Sequence, residues 1–300
     1  MAAPTPLLAA GDGLIHARLL PPSRLVLPHL EFAYPLKLIS TSPPTARCLT
    51  VFMLSYGGGL VSADQISLTV VCEPRAKLTK LFKRRTPLHI TSQRLTATLH
   101  PFSALLLLPD PLQPFADSHY TQHQTIHIPT DNSASFVLLD WLSEGRSARN
   151  EHWALHRLES RNDVYAGSRL LLRDALVLDE ELVGGETLQS RMDGFACVAT
   201  VIARGPLFAG LVRYVLERYQ REPRVGAKGF GGVRERRWDV LWTAASVRGF
   251  LVVKVSGREL QEVRGFLKEM LEEEKGGEGE GEVEGDVVRE FGEDALRCLR

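Results

Sequence analysis

The chain has no excess of either charge: lysine plus arginine and aspartate plus glutamate number 36 each. No net field therefore draws it to nucleic acid or to a membrane surface. Cysteine is scarce, and Cys48, Cys72, Cys197 and Cys298 lie far apart with no Cys-x-x-Cys spacing. This pattern argues against a disulfide framework and a zinc motif, and fits buried thiols in a reducing compartment. No stretch approaches the run of about 18 apolar residues that a membrane span needs. The opening "MAAPTPLLAAGDGLIHARLLPP" lacks a basic leader, and Gly11, Asp12 and Gly13 interrupt it. Neither a secretory signal nor a membrane helix is expected, and the expected location is cytoplasmic. Gly-x-Ser-x-Gly, His-Glu-x-x-His and Walker motifs are also missing.

What is present is mostly strand. "YGGGLVSAD" (56–64) carries three consecutive glycines, but no lysine and no helix follow to complete a phosphate cradle. The next residues, "QISLTVVC", alternate with period two, so the glycines serve a tight connection or a close approach of two chains. "RLTATLHPF" (94–102), "SALLLLPDP" (103–111), "HYTQHQTIHI" (119–128), "SFVLLDWL" (135–142) and "RLLLRDALVL" (169–178) read the same way. Pro, Gly, Asp and Asn punctuate them at close intervals. The expected fold is all-β, with sequential antiparallel neighbours and two or three helices. No fixed repeat period supports a regular solenoid.

Helical spacing comes late. Leu207, Leu211, Tyr214, Val215 and Arg218 form one stripe behind Pro206. Leu260, Val263, Phe266, Leu267, Met270 and Leu271 form another, with Ser256 and Glu259 as its expected capping box. "EEEKGGEGEGEVEGD" (272–286) holds eight acids and five glycines, which is the composition of a disordered linker. The organisation expected is a β-rich domain over 1–271, this linker over 272–286, and a short terminal helix over 287–300.

Three groups of residues bear on chemistry. His119, His123 and His127 recur every fourth position, but successive members on a strand stand roughly 13 Å apart. Ligands of one metal ion lie about 2 Å from it, so these histidines do not form a mononuclear site within one strand. "LLDWLSEGRSARNEHW" (138–153) is the densest polar stretch. In it Asp140 shares a face with Phe136, Leu138 and Leu142, where a carboxylate is costly unless bonded or hydrated. An enzyme using Asp140 and Glu144 as acid and base is one reading, and it requires both carboxyls to converge in one pocket. Basic residues around aromatics form the third group: Lys77, Lys80, Lys83, Arg84 and Arg85 around Phe82, and the 221–237 loop around Phe230. Nucleic-acid binding through them requires a shared exposed face.

Several long segments occur together and in order: "YPLKLIS" (34–40), "YGGGLVSAD", "LLPDPLQPFADSHYTQ" (107–122), "LLDWLSEGRSARNEHWALHRLESRNDV" (138–164) and "RLLLRDALVL". In these the chain resembles the urease accessory proteins of the UreD family, called UreH in some bacteria, over roughly residues 30–270. The resemblance implies a helical β-barrel-like fold and a non-enzymatic role. It implies binding to apo-urease beside a UreF-type helical accessory protein and a UreG-type GTPase, with nickel bound only in transit and no stable cofactor. A water-filled passage for the metal has been proposed in the family. On that basis Asp140, Glu144, His119, His123 and Asp64 are the candidates for a nickel route. Arg146, Arg149, Tyr56 and Phe115 are the candidates for partner contact. One departure stands out. "AKLT" runs directly into "KLFKRRTP", where the family continues with a Thr/Gln/Ser-rich stretch ending in lysine, so a strand is expected to be shortened here.

Overall fold

The computed structural model describes residues 8–43, 46–56, 60, 63–82, 91–181, 184–222, 239–275 and 282–300. The first half of the chain supplies β1 (Asp12–Leu20), β2 (Arg24–Phe32), β3 (Leu36–Ser40), β4 (Leu49–Ser55), β5 (Gln65–Cys72), β6 (Lys77–Phe82), β7 (Thr91–Leu99), β8 (Ala104–Leu107), β9 (His119–Ile128) and β10 (Ser135–Ser143). Then come β11 (Arg157–Ala166), β12 (Arg169–Asp179), α1 (Leu188–Arg191), β13 (Cys197–Arg204), α2 (Ala209–Arg221), β14 (Val240–Val247), β15 (Phe250–Gly257) and α3 (Leu260–Glu272). The chain closes with β16 (Glu273–Lys275), β17 (Glu282–Glu284) and α4 (Asp286–Phe291), followed by a 3-10 segment over Glu293–Leu299.

Every segment read as a strand is one, but the direction of pairing differs from expectation. From β4 to β11 the chain alternates between two sheets, and each of β4 to β9 pairs in parallel with the strand two ahead of it. One sheet has the order β12-β11-β9-β7-β5-β1-β2 and the other β14-β15-β13-β10-β8-β6-β4-β3. Antiparallel pairing is confined to the ends of the coil, as in β1–β2, β3–β4, β11–β12 and the group β10, β13, β15, β14. Period-two alternation reports a strand and its buried face but says nothing of its direction. Both sheets are open-edged and mixed, so the barrel-like closure expected is not seen. The coil has unequal turns, β5, β7, β9 and β11 beginning at residues 65, 91, 119 and 157, which is why no period shows in the sequence.

Two apolar layers result. Ile15, Val51, Leu68, Leu95, Leu138 and their neighbours fill the space between the sheets. Val137, Leu139 and Trp141 of β10 point the other way, into a second layer under the helices. There α2 buries Leu211 and Val215, and α3 buries Val263, Phe266, Leu267, Met270 and Leu271, so both stripes match the sequence reading. The capping box does not. Ser256 lies inside β15, paired with Val198 and Leu241, and α3 starts at Leu260.

Within the acidic stretch, β16 and β17 pair antiparallel, while 276–281 lie outside the described residues. Beyond it, Val287, Phe291, Leu296 and Leu299 are buried in the second layer rather than standing apart. The glycine triplet lies outside the described residues, as do 83–90, which follow the segment expected to be shortened. That segment itself forms β6, laddered to β4 and β8.

Candidate functional site

β9 alternates half-buried and buried along its whole length, and its buried set is Tyr120, Gln122, Gln124, Ile126 and Ile128. Two amides thus sit among core residues, facing the opposite sheet. β11 places Leu158, Ser160, Asn162 and Val164 on the same side, with Ser160 beside Gln122 and Asn162 beside Gln124. Across the gap, β10 contributes Asp140, flanked on its face by Leu138 and Leu142.

These groups bond to one another. Asp140 accepts hydrogen bonds from Gln122 Nε2 and Asn162 Nδ2, each at 3.0 Å, and from the Ser160 hydroxyl. Gln122 Nε2 also donates to Ser160 Oγ at 3.1 Å, and Gln124 Nε2 donates to Asn162 Oδ1 at 2.9 Å. Tyr120 donates toward Gln93 Oε1 and Gln122 Oε1, both at 3.3 Å. Gln93 Nε2 is buried with no protein partner. The carboxylate on a core face is thus met by two amides and a hydroxyl, which offsets its desolvation. The outcome is a polar layer of one half-buried carboxylate with buried amides and a hydroxyl, set between apolar neighbours on an inter-sheet face that also buries Lys80.

Its acceptors are oxygens, the donor type that suits hard cations, whereas imidazole and thiolate suit softer ones. Among the described residues no group of three or more His, Cys, Asp or Glu is arranged to hold a metal ion. The four thiols are buried, and burial pushes Cys72, Cys197 and Cys298 up to about 12, so they stay protonated and poor as ligands.

The other candidates lie elsewhere. Glu144 is past the end of β10, with its carboxylate 2.8 Å from His152 Nδ1, while Asp140 is bonded into the layer. The two carboxyls therefore have separate partners and do not form an acid–base pair. His119 and His123 are on the outer face of the sheet, opposite in parity to Gln122. His119 lies beside His156, with ring centroids 6.4 Å apart, and His123 is 3.2 Å from Asp163. Asp64 stands just before β5, where its carbonyl accepts from Ser92 N.

Among the partner-contact candidates, Arg146 lies over the Phe115 ring at 4.0 Å and donates to Glu151 at 2.7 Å. That clasp fastens the "DPLQPF" loop to the "SEGRSARNE" loop; Glu151 also accepts from Ala116 N. Arg149 is exposed at the end of a 3-10 turn over Ser147–Arg149. Tyr56 is elsewhere, beside Tyr34, and both are exposed.

Glutamines were the residues missed. In "HYTQHQTIHI" the histidines draw the eye, but Ile126 and Ile128 mark the core parity, and Gln122 and Gln124 share it.

The outer face yields a prediction of its own. Burial alone raises the Asp163 carboxyl, but hydrogen bonds from Arg173, Arg161 and His123 outweigh it and hold the group well below the usual carboxylate range. A depressed folded-state value stabilises the fold above the unfolded value, near 3.8, and is lost as the pH falls through the folded one. Chemical denaturation near neutrality and at about pH 3 should show Asp163→Asn losing less stability toward acid than the parent. Parallel pH profiles would remove this role for Asp163.

A family model described as UreD urease accessory protein matches residues 15–277. The chain belongs to the UreD family. Relatives agree with this. The UreD urease accessory protein of Sorangium cellulosum is 36% identical over 271 residues, covering 87% of this chain and 80% of the relative. Urease accessory protein 4 of Cryptococcus neoformans var. grubii is 30% identical over 305 residues, covering 89% and 91%. A ureD-like urease accessory protein of Schizosaccharomyces pombe is 32% identical over 253 residues, covering 79% and 86%. UreD is a family of accessory proteins, not of catalysts, so the chain is not an enzyme and the acid–base reading is set aside. Among the described residues no helix is long and apolar enough to cross a membrane.

Proposed function

We propose that this chain is a urease maturation factor, a scaffold that holds apo-urease together with a helical accessory protein and a GTPase while nickel is inserted. The UreD match across residues 15–277, with relatives named as urease accessory proteins, carries the maturation reading. The nickel part is supported by the polar layer around Asp140, which offers oxygen donors without the tight imidazole or thiolate set that would trap the ion. Nickel is cargo here, not a resident cofactor, and the setting proposed is the cytoplasm.

Nucleic-acid binding fits less well. Lys80 is buried, between Val51 and Leu107 on the inter-sheet face, and Lys77 is 2.6 Å from Glu290. Lys83, Arg84, Arg85 and 223–237 lie outside the described residues.

Tagged chain expressed in its native cells should retain urease and a helical accessory protein through gentle washing. It should show no dependence on nuclease treatment. Recovery of neither protein overturns the scaffold reading.

A further inference from the structure

We propose that Lys254 is a tethered cation at the outer end of the polar layer, holding Asp174 in reserve as the first carboxylate that an entering divalent ion meets. The proposal rests on the reading of the layer as a nickel route, and goes beyond it by naming an entry and what controls it.

Position comes first. Asp174 is on β12, the edge strand of its sheet, and its register partner on β11 is Asn162. Asn162 is the residue that donates to Asp140 at 3.0 Å. Lys254 is on β15 of the facing sheet, opposite Thr200, and Thr200 is opposite Asp140. Both routes from this edge therefore reach Asp140 in two steps, one along each sheet. Lys254 Nζ is 2.6 Å from Asp174 Oδ1 and 3.3 Å from Thr200 Oγ1, so the side chain crosses from one sheet to the other. Exposure falls over the first part of this line: the Lys254 side chain is 50% exposed, that of Asp174 is 16% exposed, and Asn162 and Gln122 are buried, while Asp140 beyond them is half-buried.

The chemistry follows from the donor set. An ammonium held by a carboxylate and a hydroxyl occupies oxygen ligands of the kind a hard divalent ion uses. Lysine is a compact charge on a flexible stem, so a half-exposed one can leave without disturbing the strands. While it stays, its charge repels a second cation and Asp174 is neutralised. When a divalent ion arrives, Asp174 exchanges a monovalent partner for a divalent one, and the freed ammonium swings into solvent. A purely mechanical clasp is the competing explanation. The same edge is tied separately, since Arg248 Nη1 on the β14–β15 turn donates to Leu171 O at 3.3 Å. An ion pair whose ammonium is half-exposed contributes modestly to folding, and with the edge tied separately, removing Lys254 leaves a folded chain to test.

The experiment is nickel chloride binding to the full chain by equilibrium dialysis at low salt, with Lys254→Met, Asp174→Asn, Asp140→Asn and the double change Lys254→Met with Asp174→Asn. Lys254→Gln replaces the Met variant if that one aggregates. Removing the ammonium is expected to tighten nickel binding about tenfold, the factor that 1.4 kcal/mol represents, and adding Asp174→Asn is expected to erase that gain. Thermal midpoints of the Lys254 variants should stay close to the parent. If Lys254→Met leaves nickel affinity unchanged while Asp140→Asn weakens it, the route stands and the proposed entry is wrong. If Asp140→Asn has no effect on nickel binding either, the route fails and the entry with it.

Discussion

Truncation after Glu284 is expected to abolish soluble folded protein. The missing segment would take with it Val287, Val288, Phe291, Ala295, Leu296, Cys298 and Leu299, all buried in one layer with the helices and with residues of β8, β10, β13 and β15. Each large apolar side chain contributes about 1.5–3 kcal/mol when fully buried, and even discounted for a compact unfolded state the total rivals a net stability of about 5–15 kcal/mol. Polar anchors go too. Asp286 accepts from Leu211 N at 2.9 Å in the first turn of α2, Glu290 pairs with Lys77 at 2.6 Å, and the Cys48 thiol donates to Phe291 O at 3.1 Å. Phe291 is stacked on Phe208 at 6.0 Å, so Phe291→Ala is the graded version, with an expected loss of about 3–5 kcal/mol. Soluble yield and the denaturation midpoint measure both. A truncated chain with the parent's midpoint would show that the segment is only laid on the surface. The family match ends at residue 277, so nothing in it speaks for this segment; the packing does.

Asp140 carries the second large effect. Asp140→Leu removes the acceptor that Gln122, Ser160 and Asn162 share. Gln122 keeps Ser160 as a partner, but Asn162 Nδ2 and the Ser160 hydroxyl lose the acceptor that Asp140 gave them. Each orphaned donor costs about 1–3 kcal/mol, so a loss of about 3 kcal/mol or more is expected on denaturation. Asp140→Asn should cost about 1–2 kcal/mol, because it keeps one oxygen acceptor and the Gln122 amide can turn to meet the new donor. Equal losses for the two variants would mean that the hydrogen bonds around Asp140 do not hold the layer.

The strands were legible because each buries one face, and period two survives in "QISLTVVC" and "HYTQHQTIHI" whatever their neighbours. Their partners were not. A strand whose next neighbour in sequence crosses to the other sheet looks the same as one in a hairpin, and turns of unequal length hide the coil. Asp140 could be singled out, since a charge among Phe136, Leu138 and Leu142 on one face is anomalous on its own. Its company could not, because Gln122, Ser160 and Asn162 come from strands that register, not sequence, brings opposite it. Glu144 was grouped with Asp140 by proximity in the chain, but the strand ends at Ser143, and His152 from the next loop takes up its carboxylate. The histidines were read by spacing when parity was the better guide. Asp174 and Lys254 sit 80 residues apart, and only the stacking of the sheets joins them.

The central claim is that nickel bound for urease passes the oxygen donors around Asp140. The direct measurement is the nickel content of urease after incubation with its purified accessory proteins, with this chain present as the parent or as Asp140→Asn. Complex formation is checked in parallel by size-exclusion chromatography. The account predicts that both chains enter the complex equally and that the Asn form loads urease with at most about a tenth of the nickel, the loss that 1.4 kcal/mol of binding represents. Equal complexes with equal nickel would contradict it.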